Sequence, residues 1–415
     1  MSEHERPRLL FVTRRFLFPA DTGGKIRTSD ILRGMKGGTF DITLMSPFAK
    51  GWQAHAREVE AICDRFIGWP DKDRGLLFKL LRTRHLLERW PVSVATEISR
   101  TARNAVAAAL ESGPDLVVAD FTQTAALVPW PQRRPTVLFT HNNEAEIFER
   151  HARLATKPLM RLIYHQQWRK MWRFEHELLP RFTRVVAVSE KDKTAFEREH
   201  GLSRVDTIPT GVDLDRFSWS PPPAIDAASP PRLTFVGSMD WPANIDAMTW
   251  FMDEVWPMIA TRCPAARLDI VGRSPPAALV ERARRRRLPW TFTGWVSEVQ
   301  PYIRDAHVAV IPLRVGSGTR MKVFEAMALG RPVISTALGV EGLPVVAGQH
   351  YVEADEPAAF ADAAVRLLDD ADRRMQLATA ARRLVEEEFG AARVAAVFES
   401  ICRSALTAER PVVAA

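Results

Sequence analysis

The sequence has few cysteines and no long uninterrupted apolar run. Only three cysteines occur in 415 residues, Cys63, Cys263 and Cys402, and they lie far apart in the chain. This spacing excludes a disulfide framework and a paired-cysteine zinc site, so buried reduced thiols are expected. No segment reaches the roughly 18 consecutive apolar residues that a membrane-spanning helix needs. Residues 1–8 carry no hydrophobic run behind basic residues, as a signal peptide would, and we therefore expect a cytoplasmic protein.

Several nucleotide-binding and catalytic motifs are also absent. The chain has no Gly-x-x-x-x-Gly-Lys-Ser/Thr phosphate loop and no Gly-x-Ser-x-Gly nucleophile elbow. Residues 237–242 follow the first strand of the second half and break the Gly-x-Gly-x-x-Gly pattern, which weighs against a dinucleotide oxidoreductase. No cluster of histidines and carboxylates has the spacing of a metal site, so we expect neither a metal nor another cofactor.

The chain is rich in positive charge. Its net charge is +7 and its isoelectric point about 9.6, with the run Arg284–Arg287 as the densest cluster. A nucleic-acid partner is one interpretation, and it predicts strongly salt-dependent affinity for unrelated sequences. The run, however, ends an apolar helical segment and precedes Leu288 and Pro289, so a solvated helix end favoured by the helix dipole is simpler. Because the sequence contains no known nucleic-acid-binding module, we expect no nucleic-acid partner.

Short apolar runs alternate with helical segments along both halves of the chain. The predicted strands are residues 9–12, 41–45, 115–119, 135–140 and 183–188, followed in the second half by 233–238, 267–272, 291–296, 308–312 and 332–335. This alternation predicts an α/β protein with doubly wound parallel sheets. The segment 218–231 is rich in Pro, Ala and Ser, as linkers are. We therefore predict an N-terminal domain over 1–206, a linker over 207–230 and a second domain over 231–390.

One strand-loop-helix-strand unit, residues 308–335, carries a group of polar and flexible positions. They are Gly316, Gly318, Arg320, Lys322 and Glu325. The glycines permit close approach of a ligand, the helix start offers amide groups, and the two cations suit a diphosphate. The Glu325 carboxylate could accept hydrogen bonds from ribose hydroxyls. Alternatively, the cations are solvated and Glu325 only complements the helix dipole; the motif alone leaves both interpretations open.

Two more polar clusters follow predicted strands of the first half. Gly23 and Gly24 precede a helix expected over about 26–35, where their amides could face the same phosphates or simply form a tight turn. His141 directly follows the fourth predicted strand, together with Asn142–Glu144. Ligands of parallel sheets bind at the carboxyl ends of strands, so this position favours an active-site role for His141. The alternative is that residues 142–144 cap the next helix.

Two stretches of the first half, 76–87 and 168–172, combine basic residues with apolar bulk. The ordinary explanation is a helix that packs on the sheet and exposes a charged outer face. The more specific interpretation is a surface helix that binds to the inner face of an anionic membrane, where a lipid-linked acceptor would be accessible. We treat peripheral membrane contact as the alternative to be tested.

Five segments, in this order, resemble those of retaining GT-B glycosyltransferases of family four, which includes many bacterial polysaccharide and glycolipid transferases. The segments are Gly23–Gly24 and residues 208–213, 235–238, 292–296 and 324–333. The resemblance implies a GT-B fold, with two Rossmann-like domains that face a central cleft. It also implies that a C-terminal helix over about 391–410 packs back on the first domain.

The resemblance further implies which residues contact the substrates. Substrate contacts are expected at Gly23, Gly24, Gly237, Ser238, Val296, Ser317, Gly318, Thr319 and Glu325. Of these, Glu325 would bind the donor ribose, and the backbone near Val296 would hold the base. The glycine loops would contact the diphosphate and the sugar, and His141 would lie at the reacting centre.

Two departures from the family pattern concern charge. The family usually has a second glutamate eight positions before the one that matches Glu325, and here that position is Ser317. It also usually has an Arg and a Lys shortly after the strand that ends at Gly237, where this chain has no nearby cation. Our hypothesis is that Arg320 and Lys322 replace those charges on the leaving diphosphate, because no metal site is evident. The alternative is a site that has lost transfer activity.

The implied reaction moves a hexosyl group from a nucleoside diphosphate sugar to a hydroxyl of a glycan, a lipid-linked acceptor or a small molecule. In the family, retention is attributed to front-face attack, in which the leaving phosphate takes the acceptor proton and no protein nucleophile is needed. Two other functions stay open, a nucleotide-sugar epimerase of GT-B fold and a degenerate binding or scaffold protein. Neither the base and sugar of the donor nor the acceptor follows from the sequence.

Overall fold

The predicted apolar runs form the strands of two parallel β-sheets. The structure, a computed structural model, describes residues 6–48, 50–71, 75, 78, 82–155, 157–209, 211–226, 229–315 and 320–408. Contacts divide the chain into two units. The first unit contains residues up to Gly211 and from Ala391 onward, and the second unit is Val212–Gly390.

The sheet of the first unit has seven strands in the order β3-β2-β1-β4-β5-β6-β7. These strands are β1 (Arg8–Thr13), β2 (Asp41–Phe48), β3 (Arg65–Pro70), β4 (Leu116–Asp120), β5 (Thr136–Phe139), β6 (Arg184–Ala187) and β7 (Val205–Thr207). Every neighbouring pair is parallel. The strand order reverses between β1 and β4, so this unit's ligand-binding point is expected beyond the carboxyl ends of those two strands.

The sheet of the second unit has six strands in the order β10-β9-β8-β11-β12-β13. They are β8 (Arg232–Val236), β9 (Arg267–Val271), β10 (Trp290–Gly294), β11 (Val308–Ile311), β12 (Val333–Ser335) and β13 (Val352–Glu353). All neighbouring strands are again parallel. Here the order reverses between β8 and β11. The two sheets confirm the predicted α/β class with two doubly wound domains.

Helices connect the strands in both units. In the first unit they are Gly23–Met35, Ala56–Glu60, Val92–Ala95, Arg100–Glu111, Glu144–Leu154, Pro158–Leu178, Glu190–His200 and Ala391–Thr407. In the second they are Pro242–Trp250, Trp256–Arg262, Ala277–Arg285, Gln300–Arg304, Met321–Ala328, Pro357–Asp369 and Ala371–Glu388. Short 3₁₀ turns lie at Trp52–His55, Arg82–Leu87, Thr122–Leu127, Leu179–Arg181 and Leu338–Val340, and Phe251–Val255 forms a π-helical turn.

Two helix predictions differ from the structure. The first helix begins at Gly23 rather than near residue 26, so both glycines lie in its first turn. The sequence also predicts one continuous helix over 245–259, but the structure interrupts it with the π-helical turn Phe251–Val255, whose buried side chains are Phe251, Met252 and Val255. Single-turn π segments occur mostly inside α-helices, and here the segment joins Pro242–Trp250 to Trp256–Arg262.

The last helix, Ala391–Thr407, packs on the sheet of the first unit. Phe398 is fully buried, with its ring 6.5 Å from that of Phe11 and 5.1 Å from that of Phe139. A Cβ on Gly34 would lie 2.4 Å from the Ala395 Cβ, so the first and last helices approach closely only because one of them has glycine at the contact. This contact fixes helix Gly23–Met35, whose amino terminus carries the glycine pair.

Candidate functional site

A buried cluster lies where the strand order of the first unit reverses. Asp120 is the last residue of β4, and its Oδ1 lies 2.7 Å from Nε2 of His141, which follows β5. The Thr28 hydroxyl donates to both Asp120 carboxylate oxygens at 3.2 Å. Asp120 and Thr28 are fully buried, and His141 is 4% exposed. The structure therefore gives the predicted residue His141 a carboxylate partner that sequence reasoning did not identify.

The contact with Asp120 fixes the tautomer of His141. A carboxylate only accepts hydrogen bonds, so Nε2 must carry the hydrogen, and in a neutral ring Nδ1 then carries the lone pair. Burial lowers the pKa of His141 and outweighs the opposing effect of the Asp120 charge, so the ring is neutral at neutral pH. Nδ1 is buried and accepts no hydrogen bond from a described residue. The ring thus presents an unsatisfied acceptor, suited to a hydroxyl group.

The Phe121 ring holds His141 from one side. The two rings stack with centroids 3.8 Å apart at 13°, and the Arg14 guanidinium lies 4.5 Å from the Phe121 centroid. Phe121 adopts a positive φ of 68°, a conformation that is rare for a bulky residue. A Cβ on Gly24 would lie 2.5 Å from Cζ of this ring. Gly24 is therefore required to make room for Phe121, a reason that neither sequence interpretation included.

The start of helix Gly23–Met35 has features of an anion site. The N-cap residue Thr22 makes no capping hydrogen bond with its side chain, and the first turn contains no acidic residue. The amides of Gly23 and Gly24 are therefore not occupied by a side-chain cap among the described residues. A phosphate could accept hydrogen bonds there, as the sequence predicts, and this role stays a prediction.

The segment after His141 also caps a helix. The Asn143 side chain accepts a hydrogen bond from the Glu146 amide at 3.1 Å, and Glu175 Oε1 accepts one from the Glu144 amide at 3.2 Å. Glu175 is fully buried, and burial, reinforced by the nearby Glu144 charge, raises its pKa well above the ordinary value. The capping interpretation of this segment is therefore confirmed for Asn143. The active-site role of His141, which lies in a buried polar cluster, stays a prediction.

In the second unit, Lys322 lies beside the end of β8. Its Nζ donates to Asn244 Oδ1 at 3.0 Å and lies 4.4 Å from the centroid of the Phe235 ring. A Cβ on Gly237 would come within 2.8 Å of both Lys322 Nζ and Asn244 Nδ2. Because β8 and β11 are neighbours in the sheet, the helix after β11 supplies the cation that the sequence lacks directly after β8.

A second cation reaches the turn after β8. Arg273, which follows β9, donates from Nε to the Ser238 hydroxyl at 2.9 Å and lies 3.4 Å from an Asp240 carboxylate oxygen. Asn244 also donates to the Ser238 carbonyl at 2.8 Å. The sequence has no cation directly after β8, as noted above, but the fold brings Arg273 to this turn from the segment after β9. Arg273 follows β9, which pairs with β8, so its position in the sequence could have indicated a cation near this turn.

Glycine allows the backbones of β8 and β9 to approach at this point. A Cβ on Gly272 would lie 2.0 Å from the Gly237 carbonyl oxygen, which no backbone shift of a few tenths of an ångström would relieve. The Gly237 amide donates to the Val271 carbonyl at 2.9 Å. Gly237 and Ser238, both predicted substrate contacts, thus lie in a tightly constrained turn.

Lys322 and Glu325 lie one helical turn apart and both have shifted pKa values. Burial, with a smaller contribution from the Arg320 charge, lowers the pKa of Lys322 to about 7. Burial also raises the pKa of Glu325 to about 7, against the opposing charges of Arg216 and Lys322. Opposite shifts of neighbouring groups are common at functional sites. Near neutral pH both side chains can therefore change charge when a ligand arrives.

The other predicted residues are placed as follows. Arg320 is 6% exposed and donates from Nη2 to the Leu338 carbonyl at 3.0 Å. Val296 is half-buried in the loop after β10, next to Trp295, which is 71% exposed. Ser317, Gly318 and Thr319 lie outside the described residues. The structure thus brings Gly237, Ser238 and Lys322 together, whereas substrate contact at each predicted position stays a prediction.

Two family models match the chain. The model of glycosyltransferase family 4 matches residues 34–216, and that of glycosyl transferases group 1 matches residues 230–370. Together they cover more than three quarters of the chain. They leave out residues 1–33, the joining segment 217–229 and residues 371–415.

Solved structures share the fold. The crystal structure of HepE from Anabaena, in complex with UDP and glucose, matches with a TM-score of 0.67 at 16% identity, over 96% of this chain and 100% of that one. Sucrose-phosphate synthase from Thermosynechococcus elongatus matches with a TM-score of 0.70 at 16% identity, over 97% and 100%. With the two doubly wound sheets described above, these matches define a protein of GT-B fold.

The family models add the particular family. The chain belongs to the GT-B glycosyltransferases of the family 4 type. A curated relative from Klebsiella pneumoniae, an uncharacterized 44.6 kDa protein in cps region, is 22% identical over 169 residues. That match covers 39% of this chain and 44% of the relative, so the chain matches less than half of that relative's length.

None of the described helices is long and apolar enough to cross a membrane. Within the same residues, no three His, Cys, Asp or Glu side chains are grouped to hold a metal ion.

Proposed function

We propose that the protein transfers a hexosyl group from a nucleoside diphosphate sugar to an acceptor hydroxyl, with retention at the anomeric carbon. The observation that carries this proposal is the placement of Lys322 Nζ beside Gly237, at the point where the strand order of the second unit reverses. Diphosphates are commonly bound by a cation, by glycine backbone that no side chain covers and by the amino terminus of a helix, and all three occur at this point. Crystal structures of HepE in complex with UDP and with UDP-glucose support a nucleotide-sugar donor, and UDP-sugars are the first to test.

The second unit would stabilise the leaving group. As the glycosidic bond breaks, negative charge accumulates on the diphosphate, and Lys322 and Arg320 would neutralise it, with amides of helix Met321–Ala328 adding partial charge. The Glu325 carboxylate accepts no hydrogen bond from a described side chain, which leaves it free for ribose hydroxyls. In this proposal, catalysis consists of orientation and charge stabilisation rather than covalent attack by the protein.

The first unit would orient the transferred sugar. Asp120 holds His141 with Nδ1 as the acceptor, so His141 can receive a hydrogen bond from a sugar hydroxyl. Front-face attack requires no protein nucleophile, because the leaving phosphate oxygen takes the acceptor proton as the acceptor oxygen bonds to the anomeric carbon. Thr28 and Phe121 fix the positions of Asp120 and His141 respectively.

The experiment that tests this proposal has two stages. A panel of nucleotide sugars is first screened for thermal stabilisation, since a ligand of the folded state raises apparent stability. The stabilising donor is then incubated with candidate glycan, lipid-linked and small-molecule acceptors, and the anomeric configuration of the product is determined by NMR. A retained anomeric configuration in a transfer product is expected. Inversion would contradict retention, an altered free donor would identify an epimerase, and no nucleotide-sugar binding would favour a scaffold.

Membrane contact is a separate proposal that concerns the acceptor. Helix Pro158–Leu178 buries Met171 and Phe174, as the ordinary explanation of 168–172 requires, and exposes Leu159 and Leu162, each 68% accessible. Of the stretch 76–87, residues 76, 77 and 79–81 lie outside the described residues. Sedimentation with vesicles that contain anionic lipid tests the contact, and equal recovery with neutral vesicles would contradict an electrostatic component.

A further inference from the structure

A pocket of about 500 Å³ lies in the first unit, separate from the cluster around His141. Its walls come from the end of helix Pro158–Leu178, the middle of helix Arg100–Glu111 and the segment 126–130 that leads toward β5. None of its lining residues belongs to the candidate site described above. The volume lies within the range of about 300–1,000 Å³ that small-molecule sites occupy.

The floor of the pocket is apolar and aromatic. Trp90 packs edge-on against Phe174 with centroids 5.0 Å apart, and Trp130 packs edge-on against Phe182 at 4.9 Å. Leu127 is 2% exposed, so the floor belongs to the hydrophobic core of the unit. Rings that are held in this way form a rigid apolar surface that can receive an aliphatic or isoprenoid chain at low entropic cost.

The mouth of the pocket is positively charged. Three arginines line it, Arg89, Arg103 and Arg181, with Glu177 as the carboxylate. Glu177 already pairs with Arg89 at 2.6 Å, and the Arg181 guanidinium donates to the Glu177 carbonyl at 3.0 Å. Arg103 is exposed, and its guanidinium forms no ion pair or hydrogen bond with a described residue, whereas its amide donates to the Ser99 carbonyl within the helix. The mouth therefore keeps an excess of positive charge above an apolar floor.

We propose that this pocket binds an anionic amphiphile, with its single apolar chain on the Trp90, Trp130 and Phe174 floor and its phosphate or carboxylate head on Arg103. Charge complementarity excludes a cationic head, and the apolar floor excludes a free inorganic anion as the preferred ligand. The guanidinium fork matches either anion in a bidentate manner, so the test must separate the two heads. This proposal does not depend on the transfer reaction.

The test uses saturable quenching of tryptophan fluorescence by bromododecyl phosphate on the full chain. Bromododecanoate, bromododecanol and inorganic phosphate are the comparison ligands. The phosphate or carboxylate amphiphile should bind with a dissociation constant at least tenfold below that of the alcohol, and inorganic phosphate alone should not displace it. Equal binding of the alcohol, or quenching that never saturates, would overturn the proposal.

Two pairs of variants locate the site. Arg103→Gln should weaken binding of the anionic amphiphile about tenfold, the factor that corresponds to about 1.4 kcal/mol, without affecting the alcohol. Arg100→Gln, an exposed position on the same helix outside the pocket, should change nothing. Ala107→Phe should fill the pocket and abolish binding. Ala108, the next residue, is exposed and does not line the pocket, so Ala108→Phe should leave binding unchanged. Thermal unfolding checks that each variant folds, and equal effects within either pair would refute the assignment.

Discussion

Donor binding should change the charge of Lys322. Burial and the neighbouring Arg320 lower the pKa of this lysine to about 7, so in the empty protein at pH 8 only about one tenth of it is charged. A diphosphate beside Nζ favours the ammonium form and returns the pKa toward its ordinary value. Binding should therefore take up about 0.9 proton at Lys322 at pH 8.

The neighbouring Glu325 should undergo the opposite change, a loss of its proton on donor binding, at lower pH. Its pKa is raised to about 7 by burial, so at pH 6 about nine tenths of it is protonated. Hydrogen bonds from ribose hydroxyls to the carboxylate favour the ionised form and release that proton. At pH 8 Glu325 is already about nine tenths ionised and releases only about 0.1 proton, which leaves a net uptake of about 0.8. Binding should thus take up protons at pH 8 and release them at pH 6.

Calorimetry in buffers of different ionisation enthalpy measures both the proton uptake at pH 8 and the proton release at pH 6. The ligand is the intact nucleotide sugar, because its diphosphate is esterified at both ends and does not titrate near neutrality. Lys322→Met should remove the uptake at pH 8, and Glu325→Gln should remove the release at pH 6. Binding enthalpies that do not depend on the buffer at either pH would refute the proposed contacts, even if the affinity were high.

Three further perturbations follow from the structure. Asp120→Asn no longer fixes the tautomer of His141, so kcat/KM should fall about 10–150-fold, the loss of one charged hydrogen bond. Calorimetric donor affinity should fall by less than that factor, because the proposed diphosphate contacts of the second unit are unchanged. Gly237→Ala displaces only flexible side-chain ends, so it should raise the donor KM with little change in Tm. Gly272→Ala meets a backbone oxygen, so it should lower Tm by several degrees. Burial raises the pKa of Glu175 above its unfolded value, so it stabilises the fold at low pH and loses that contribution as pH rises through the folded pKa. Glu175→Gln should remove a slope of up to about 1.4 kcal/mol per pH unit from the wild-type stability profile, and parallel profiles would contradict this.

Most central strands could be predicted from the sequence because both faces of each are buried. β4, β5 and β11 consist of buried residues throughout, and each contains at least three consecutive apolar residues. The three strands that were not predicted, β3, β7 and β13, all lie at sheet edges. An edge strand has one neighbour and partly exposed faces, and β3 even contains Gly68 and Pro70, so no apolar run marks it.

The site was less predictable because its contacts join distant segments. The position of His141 after a strand was enough to predict a polar cluster there, and Asp120, the last residue of its own strand, had the same kind of position but was not recognised. The positive φ of Phe121 and the space that Gly24 leaves for its ring have no counterpart in a linear pattern. Lys322 was predicted as a site residue, but its position next to Gly237 depends on the pairing of β8 with β11, which only the topology reveals.

The position of Lys322 also explains how a site without ligand tolerates so much positive charge. A lysine that stayed fully ionised on the face of Phe235, near Arg320, would keep the full cost of desolvation and repulsion in the empty protein. A pKa of about 7 lets it lose its proton instead, so about half of the molecules avoid that cost at pH 7. In the proposed donor complex, the lysine would become fully charged because the diphosphate stabilises its ammonium form. Arginine cannot lose its proton in this way, so Lys322→Arg would keep the charge in the empty site and is not a conservative replacement here.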